Sequence, residues 1–390
     1  MAPSAPRRPL VGSVAMGYGH LRAAAPLARR LGQPVTEIDR PPVAAADEQR
    51  LWDRTRSGYE LVSRWSQTAV LGPVFRAVLD RLTWIGGSGG ADRTVRRLDR
   101  LIAKGLGRGL AEHLEATECG LLTTFYAPAL AVDLHGSAPV ACVLTDTDVH
   151  RIWAPARPDQ SRILYLAPTE AAAARMRSYG VPDRQVVVTG FPLPDELVDD
   201  DPEPRLARLA GGDGAPRLTF AVGGAGAQAT RARELLESLA PAVRAGDLHL
   251  ALVAGTRRRL ARQFTNWCRD RGLDRVEVVA ALDFSDYLAR FEELLRRTDV
   301  LWTKPSEMVF YAALGLPLIL DDPVGDHERA NARWILDAGA GVVRPEAVEV
   351  GRTVTQWLGD GTLADCARRG LDRLPRDGAT RIVDTVLDVF

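Results

Sequence analysis

Lys304 is one of only two lysines in a chain that carries 48 arginines, the other being Lys104. It follows a short apolar run, Val300–Trp302, and stands among Thr303, Ser306 and Glu307. A second run, Pro317–Leu320, is followed by Asp326, His327, Glu328 and Asn331. A cation can neutralise phosphate, and carboxylates with an amide can take sugar hydroxyls. The two clusters therefore suit a negatively charged, polyhydroxylated ligand. Capping is the competing use, because Ser306 and Asp326 stand just ahead of helical stretches.

Three further groups have chemistry-bearing spacing. Gly223-Gly224-Ala225-Gly226-Ala227 lies between a strand and a helix. There, backbone N–H groups and a helix N-terminus can meet a phosphate; an ordinary tight turn is the alternative. The turn lacks Gly-Lys-Ser/Thr, so it is no nucleotide-hydrolase loop, and no acidic residue ends the next strand, which argues against NAD. That next strand runs into Arg257-Arg258-Arg259, of which Arg257 is the candidate for pairing with a diphosphate while the others face solvent. In the first half, Gly17-Tyr18-Gly19-His20 closes an opening strand, and Asp146 with His150 closes another. An Asp and a His in one turn can form a general-base pair, or Asp146 can simply cap an Asx-type turn.

These residues need strands to carry them. Apolar runs predict strands near 9–16, 35–38, 120–124, 140–145, 162–166 and 186–189. A second series runs near 218–222, 248–254, 276–279, 300–302 and 317–320, with helical segments between. Helices are expected over about 21–31, 48–84, 92–115 and 377–390, and a flexible glycine loop follows Trp84. This alternation predicts an α/β chain of two Rossmann-like, doubly wound domains facing each other across a cleft. The expected division is 1–192, an acidic Pro/Gly-rich linker at 193–216, a second domain at 217–376, and a closing helix at 377–390.

At 390 residues, 46% hydrophobic and 26% charged, the chain is that of a globular protein large enough for two cores. Fifty basic residues balance fifty acidic ones, so no overall field favours nucleic acid. Four scattered cysteines without C-x-x-C spacing argue against a zinc site or a disulfide framework. Neither a signal-peptide pattern nor an 18-residue apolar run is present, which points to the cytosol. Residues 48–90, with Trp52, Trp65, Phe75 and Trp84, are core helices or a peripheral contact with a lipid acceptor or the inner face of a membrane.

Taken in order, the motifs resemble the GT-B glycosyltransferases. The nearest branch holds the MurG transferases and the monogalactosyl- or processive diglucosyl-diacylglycerol synthases. Met16-Gly17-Tyr18-Gly19-His20 is similar to the family's first-strand turn. Thr145-Asp146 through His150 and Trp153 is similar to its Thr-Asp…His…Trp stretch. Val188-Thr189-Gly190-Phe191-Pro192 resembles the close of its N-terminal domain, and Gly223–Gly226 its donor-diphosphate loop. Thr303-Lys304, Gly315-Leu316-Pro317, Asp326–Asn331 and Gly339-Ala340-Gly341 complete the set. The resemblance implies an inverting, metal-independent transferase that needs no cofactor and uses a nucleotide-diphosphate sugar, a UDP-sugar by analogy. The donor would bind the second half, with Glu328 and Asn331 on the sugar hydroxyls. His20 or Asp146 would deprotonate a hydroxyl acceptor, a lipid or a small glycoside. Pro305-Ser306-Glu307-Met308 departs from the family loop, which is about two residues longer and carries the ribose-binding acid; Glu307 is the substitute. His327 replaces a family Gln. A sugar-nucleotide 2-epimerase of the same fold and a non-catalytic nucleotide-sugar-binding relative are the rival readings.

Overall fold

The computed structural model describes residues 8–14, 18–53, 88–222 and 229–390. It contains two six-stranded sheets, each parallel throughout. The first is built from β1 (Pro9–Ser13), β2 (Thr36–Glu37), β3 (Gly120–Thr123), β4 (Val140–Val143), β5 (Leu164–Ala167) and β6 (Val186–Val188), in the order β2-β1-β3-β4-β5-β6. The second comprises β7 (Arg217–Ala221), β8 (His249–Gly255), β9 (Glu277–Ala280), β10 (Val300–Thr303), β11 (Leu318–Leu320) and β12 (Gly341–Val343), in the order β12-β11-β10-β7-β8-β9. Strands such as β3, β4, β5 and β10 are buried at every position. Helices cover both faces of such sheets, so the strands read as unbroken apolar runs rather than alternating ones.

Strand order reverses between β1 and β3 in one sheet and between β7 and β10 in the other. Doubly wound sheets bind ligands at the carboxyl ends of strands at these switch points. The fold therefore selects the residues after β1 and β3, and those after β7 and β10.

The chain divides into two compact units. The first comprises Met1–Pro194, Val324–Ala330 and Pro375–Phe390; the second comprises Asp195–Pro323 and Asn331–Leu374. The last helix, Gly378–Val389, thus counts with the first unit. Its Ile382, Val383 and Val386 pack with Val11, Leu27 and Leu122 on one face of the first sheet. Gly378 is required there: a Cβ at this position would lie 2.3 Å from the carbonyl oxygen of Phe191. The other face of that sheet meets a second core that includes Trp52, Leu106, Leu121 and Tyr165.

Three expectations need correction. The single helix expected over 92–115 is two, Ser88–Ala103 and Arg108–Ala116, and it begins within the expected glycine loop. The break falls at Gly107, whose φ of 78° suits glycine. Buried Glu48 fixes the second helix start by accepting from Gly107 N at 2.8 Å, Gly109 N at 2.9 Å and Trp52 Nε1 at 3.1 Å. A carboxylate there satisfies orphan N–H groups and meets the positive end of the helix dipole. Residues 46–53 are helical as expected, while 54–87, the bulk of the expected lipid or membrane segment, lie outside the described residues.

The second correction concerns 193–216. Instead of a linker it carries helices Asp195–Val198 and Glu203–Leu209, and from Asp195 onward it belongs to the second unit. Arg205 is buried and donates to the carbonyls of Thr298 (2.7 Å), Leu314 (2.6 Å) and Leu295 (3.2 Å). Arg208 pairs with the buried carboxylate of Asp299 at 2.8 Å. The third is β12, an unanticipated strand of three residues.

Candidate functional site

His20 lies in the first turns of the helix Tyr18–Arg30, which follows β1, and meets the residue that follows β3. Its Nδ1 is 2.7 Å from the carbonyl oxygen of Thr124, and Thr124 Oγ1 donates to the carbonyl of His20 at 2.8 Å. A carbonyl only accepts, so Nδ1 carries the proton and the neutral ring has its basic nitrogen at Nε2. The reciprocal bonds span the switch point between β1 and β3 and fix the ring's orientation. Aromatic rings surround it: Phe125 at 4.6 Å and Trp153 at 6.2 Å between centroids, with Tyr126 against Trp153 at 5.3 Å. Tyr165 Oη holds the Trp153 carbonyl at 2.9 Å. Thr124, Phe125 and Tyr126 were not among the expected site residues. Their signal was a polar and aromatic triplet ending an apolar strand. Gly19 is in the same helix turn, and Gly17 lies outside the described residues.

Asp146 is half-buried in the turn after β4, on the same edge of the sheet and next to the β3 end. Its neighbour Asp148 is structural, pairing with Arg175 through both oxygens at 2.9 and 3.0 Å.

His150 does not suit the role of base. Its Nδ1 accepts from Ile152 N at 3.1 Å and caps the short helix Arg151–Trp153, so the ring nitrogen with the lone pair is occupied. Burial, followed by repulsion from His327, lowers its pKa to about 4, against a smaller opposing pull from Asp326. All three residues count with the first unit. An unfolded chain protonates this histidine near pH 6.5, whereas the folded one resists down to about 4. The unfolded state therefore binds more protons across that window, and stability falls as pH drops through it, by up to about 3 kcal/mol. Unfolding free energies measured from pH 7 to pH 4 are expected to show this slope. His150→Asn, which retains an acceptor for Ile152 N, is expected to flatten it. An unchanged slope in the variant would remove His150 as the cause.

In the second unit, the residues after β10 lie at the carboxyl edge of the second sheet. Lys304, Ser306 and Glu307 are half-buried, just past β10 at the β7/β10 switch point. Thr303 departs from expectation: it is fully buried and its hydroxyl points to Met308 Sδ at 3.5 Å. Asn331 is fully buried, and its Nδ2 donates to the Pro305 carbonyl at 3.2 Å. Within the second unit it ties its own position to the Lys304–Glu307 loop. Glu328 is buried, with Oε2 accepting from Val324 N at 2.6 Å, so part of its carboxylate holds its own loop. Asp326 pairs with Arg329, and His327 stays half-buried in the same first turn; this turn, Glu328 included, counts with the first unit. Arg257 is half-buried at the start of the helix Arg258–Asp270, directly after β8. Gly223, Gly224 and Gly226 lie outside the described residues, although β7, which leads to them, pairs with β10 through Phe220 and Trp302. A network the sequence did not reveal flanks this edge: buried Asp321, after β11, lies 3.2 Å from Arg344 Nε and 3.7 Å from Arg231 Nε. Among the described residues, no group of three or more His, Cys, Asp or Glu side chains stands together as a metal site.

Known proteins match at two levels. A domain family of unknown function, DUF6938, matches residues 181–272 and 259–362. The processive diacylglycerol beta-glucosyltransferase of Bacillus subtilis (strain 168) is 26% identical over 224 residues, 57% of this chain and 55% of that protein. Its namesake in Bacillus cereus (strain AH187) is 28% identical over 257 residues, 64% of this chain and 62% of that protein. The chain thus spans less than two thirds of the length of these relatives. Among solved structures, MnaA of S. aureus with UDP superposes with a TM-score of 0.53 at 14% identity, over 74% of this chain and 80% of that one. The UDP-GlcNAc 2-epimerase of Neisseria meningitidis bound to UDP-GlcNAc gives 0.50 at 16%, over 75% and 82%. At such identities the likeness is one of fold. In sequence, the chain resembles the processive diacylglycerol glucosyltransferase branch of the GT-B glycosyltransferases, the branch to which its ordered motifs point.

Proposed function

We propose that the chain is a glycosyltransferase that moves a sugar from a nucleotide-diphosphate sugar, by preference a UDP-sugar, to a hydroxyl acceptor. The observation that carries this reading is the His20–Thr124 lock, because it orients one neutral imidazole with its basic nitrogen at Nε2. That nitrogen takes the acceptor's proton as the acceptor oxygen attacks the anomeric carbon. The bond from that carbon to the diphosphate oxygen breaks, the configuration inverts, and a nucleoside diphosphate leaves. Lys304, Arg257 and the Gly223–Gly226 turn meet the growing negative charge, with no metal or cofactor needed. Glu307 and Glu328 take donor hydroxyls, and Asn331 holds the Lys304 loop in place. The names of the relatives favour a hydroxyl carried on a diacylglycerol lipid as acceptor.

The test is release of nucleoside diphosphate from UDP-sugars, with and without diacylglycerol in detergent. Release that depends on the acceptor supports the proposal. Epimerised nucleotide sugar formed without an acceptor would replace it with the 2-epimerase reading, and nucleotide binding without turnover would leave a non-catalytic relative. Lys304→Ala is expected to raise the donor KM by about tenfold or more, the worth of one hydrogen-bonded charge. An unaltered donor KM would take Lys304 out of the site.

A further inference from the structure

The chain has no net charge, yet its arginines are unevenly placed. Residues 257–275 hold seven arginines against two aspartates and no lysine or glutamate. Most of them belong to the helix Arg258–Asp270, which follows β8 and buries Leu260, Phe264 and Cys268 against the second sheet. On its outer side, Arg258, Arg259, Arg262 and Arg269 are all exposed. Positions 258, 262 and 269 fall within about 40° of one another around a helix turning 100° per residue. They form a straight stripe roughly 16 Å long.

The local balance around the stripe is positive. Among the described residues, Arg258, Arg259 and Arg262 make no ion pair; Arg262 Nε only reaches the Arg258 carbonyl at 3.4 Å. Arg269 sits 4.0 Å from Asp270, a loose contact. The adjacent acid on the neighbouring helix, Glu237, is already taken by Arg233 and Arg271. Arginines in a first helical turn also oppose the helix dipole, and this first turn has no acidic residue to relieve them. The first turn therefore bears a local electrostatic cost that an anion bound there would relieve.

We propose that the outer face of the helix Arg258–Asp270 docks on an anionic phospholipid bilayer. A straight stripe of guanidinium groups matches a continuous plane of headgroup phosphates, each able to take a forked pair of hydrogen bonds. The protein's zero net charge supplies no long-range pull toward a nucleic acid, whereas an anionic leaflet brings its own field to a local patch. This surface belongs to the second unit, and the inference does not depend on the catalytic reading.

The experiment is co-sedimentation of the full chain with vesicles of phosphatidylglycerol and phosphatidylcholine, beside vesicles of phosphatidylcholine alone. Wild type is expected to bind the anionic vesicles only, and to be released as salt screens the charges. Each arginine near an anionic leaflet weighs roughly fivefold in partitioning, so the triple variant Arg258→Gln, Arg262→Gln, Arg269→Gln is expected to bind roughly a hundredfold more weakly. Its melting temperature should match or exceed that of wild type, which separates lost docking from lost fold. Equal partitioning of the variant, equal binding to neutral vesicles, or preferential binding to duplex DNA at the same phosphate concentration would each overturn the proposal.

Discussion

His20→Ala is expected to lower kcat/KM for sugar transfer by about 10²- to 10⁴-fold, the range a positioned general base contributes. The substitution removes Nε2 and also Nδ1, which holds the Thr124 carbonyl. The backbone carbonyl of residue 20 stays, so Thr124 Oγ1 keeps its acceptor. Stability should thus fall by only about 1 kcal/mol for the lost hydrogen bond and ring contacts. A large rate loss with a small stability loss is the signature of a base rather than a scaffold residue. Donor affinity provides the internal control. Because His20 would act on the acceptor, nucleoside diphosphate binding by calorimetry should be unchanged in the variant. Asp146→Asn tests the other candidate. If Asp146→Asn abolishes turnover while His20→Ala retains it, the base is the carboxylate and the lock around His20 serves only to orient the turn.

Which of these features were legible in the sequence follows from how local their causes are. Buried parallel strands declare themselves as apolar runs, and eleven of the twelve strands were anticipated, β2 only through the flanking Val35 and Ile38; β12 opens on Gly341 and is only partly buried, so it offers no such run. Positions at strand ends were readable for the same reason, which is why His20, Asp146 and Lys304 were found. What side chains do at those positions was not. Thr303 and Lys304 are adjacent, yet Thr303, the last residue of β10, is fully buried, while Lys304, one step past the strand end, is half-buried. His150 looked like a partner for Asp146, but its Nδ1 is consumed two residues away by Ile152 N. The Thr124 lock joins residues 104 positions apart, so no spacing rule could reveal it. The stretch after Pro194 looked like a linker because its composition is acidic and rich in Pro and Gly. What makes it structural is Arg205, whose partners lie 90 to 109 positions further on.

Arg205→Met is expected to destabilise the second unit by about 2–4 kcal/mol, measured by urea or thermal unfolding. The carbonyls of Leu295 and Thr298 belong to the end of the helix Phe284–Arg296, and that of Leu314 ends the short helix Glu307–Leu314. Helix C-termini leave carbonyls without intrahelical partners and carry the negative end of the dipole. One buried guanidinium thus caps two helix ends at once. Replacing a buried ion pair with apolar residues can be neutral, because both charges leave together. Here the partners are backbone and cannot leave, so methionine fills the space but strands the Thr298 and Leu314 carbonyls, while that of Leu295 keeps its bond from Thr298 N at 3.1 Å. Arg205→Lys should recover little, since an ammonium cannot fork toward three separate carbonyls. The two capped ends bracket β10 and the Lys304–Glu307 loop in the chain. A loss of donor affinity should therefore accompany the loss of stability, whereas His20→Ala should leave donor affinity intact. A stability change below about 1 kcal/mol would mean that water reaches the three carbonyls and that the arginine is dispensable as a cap.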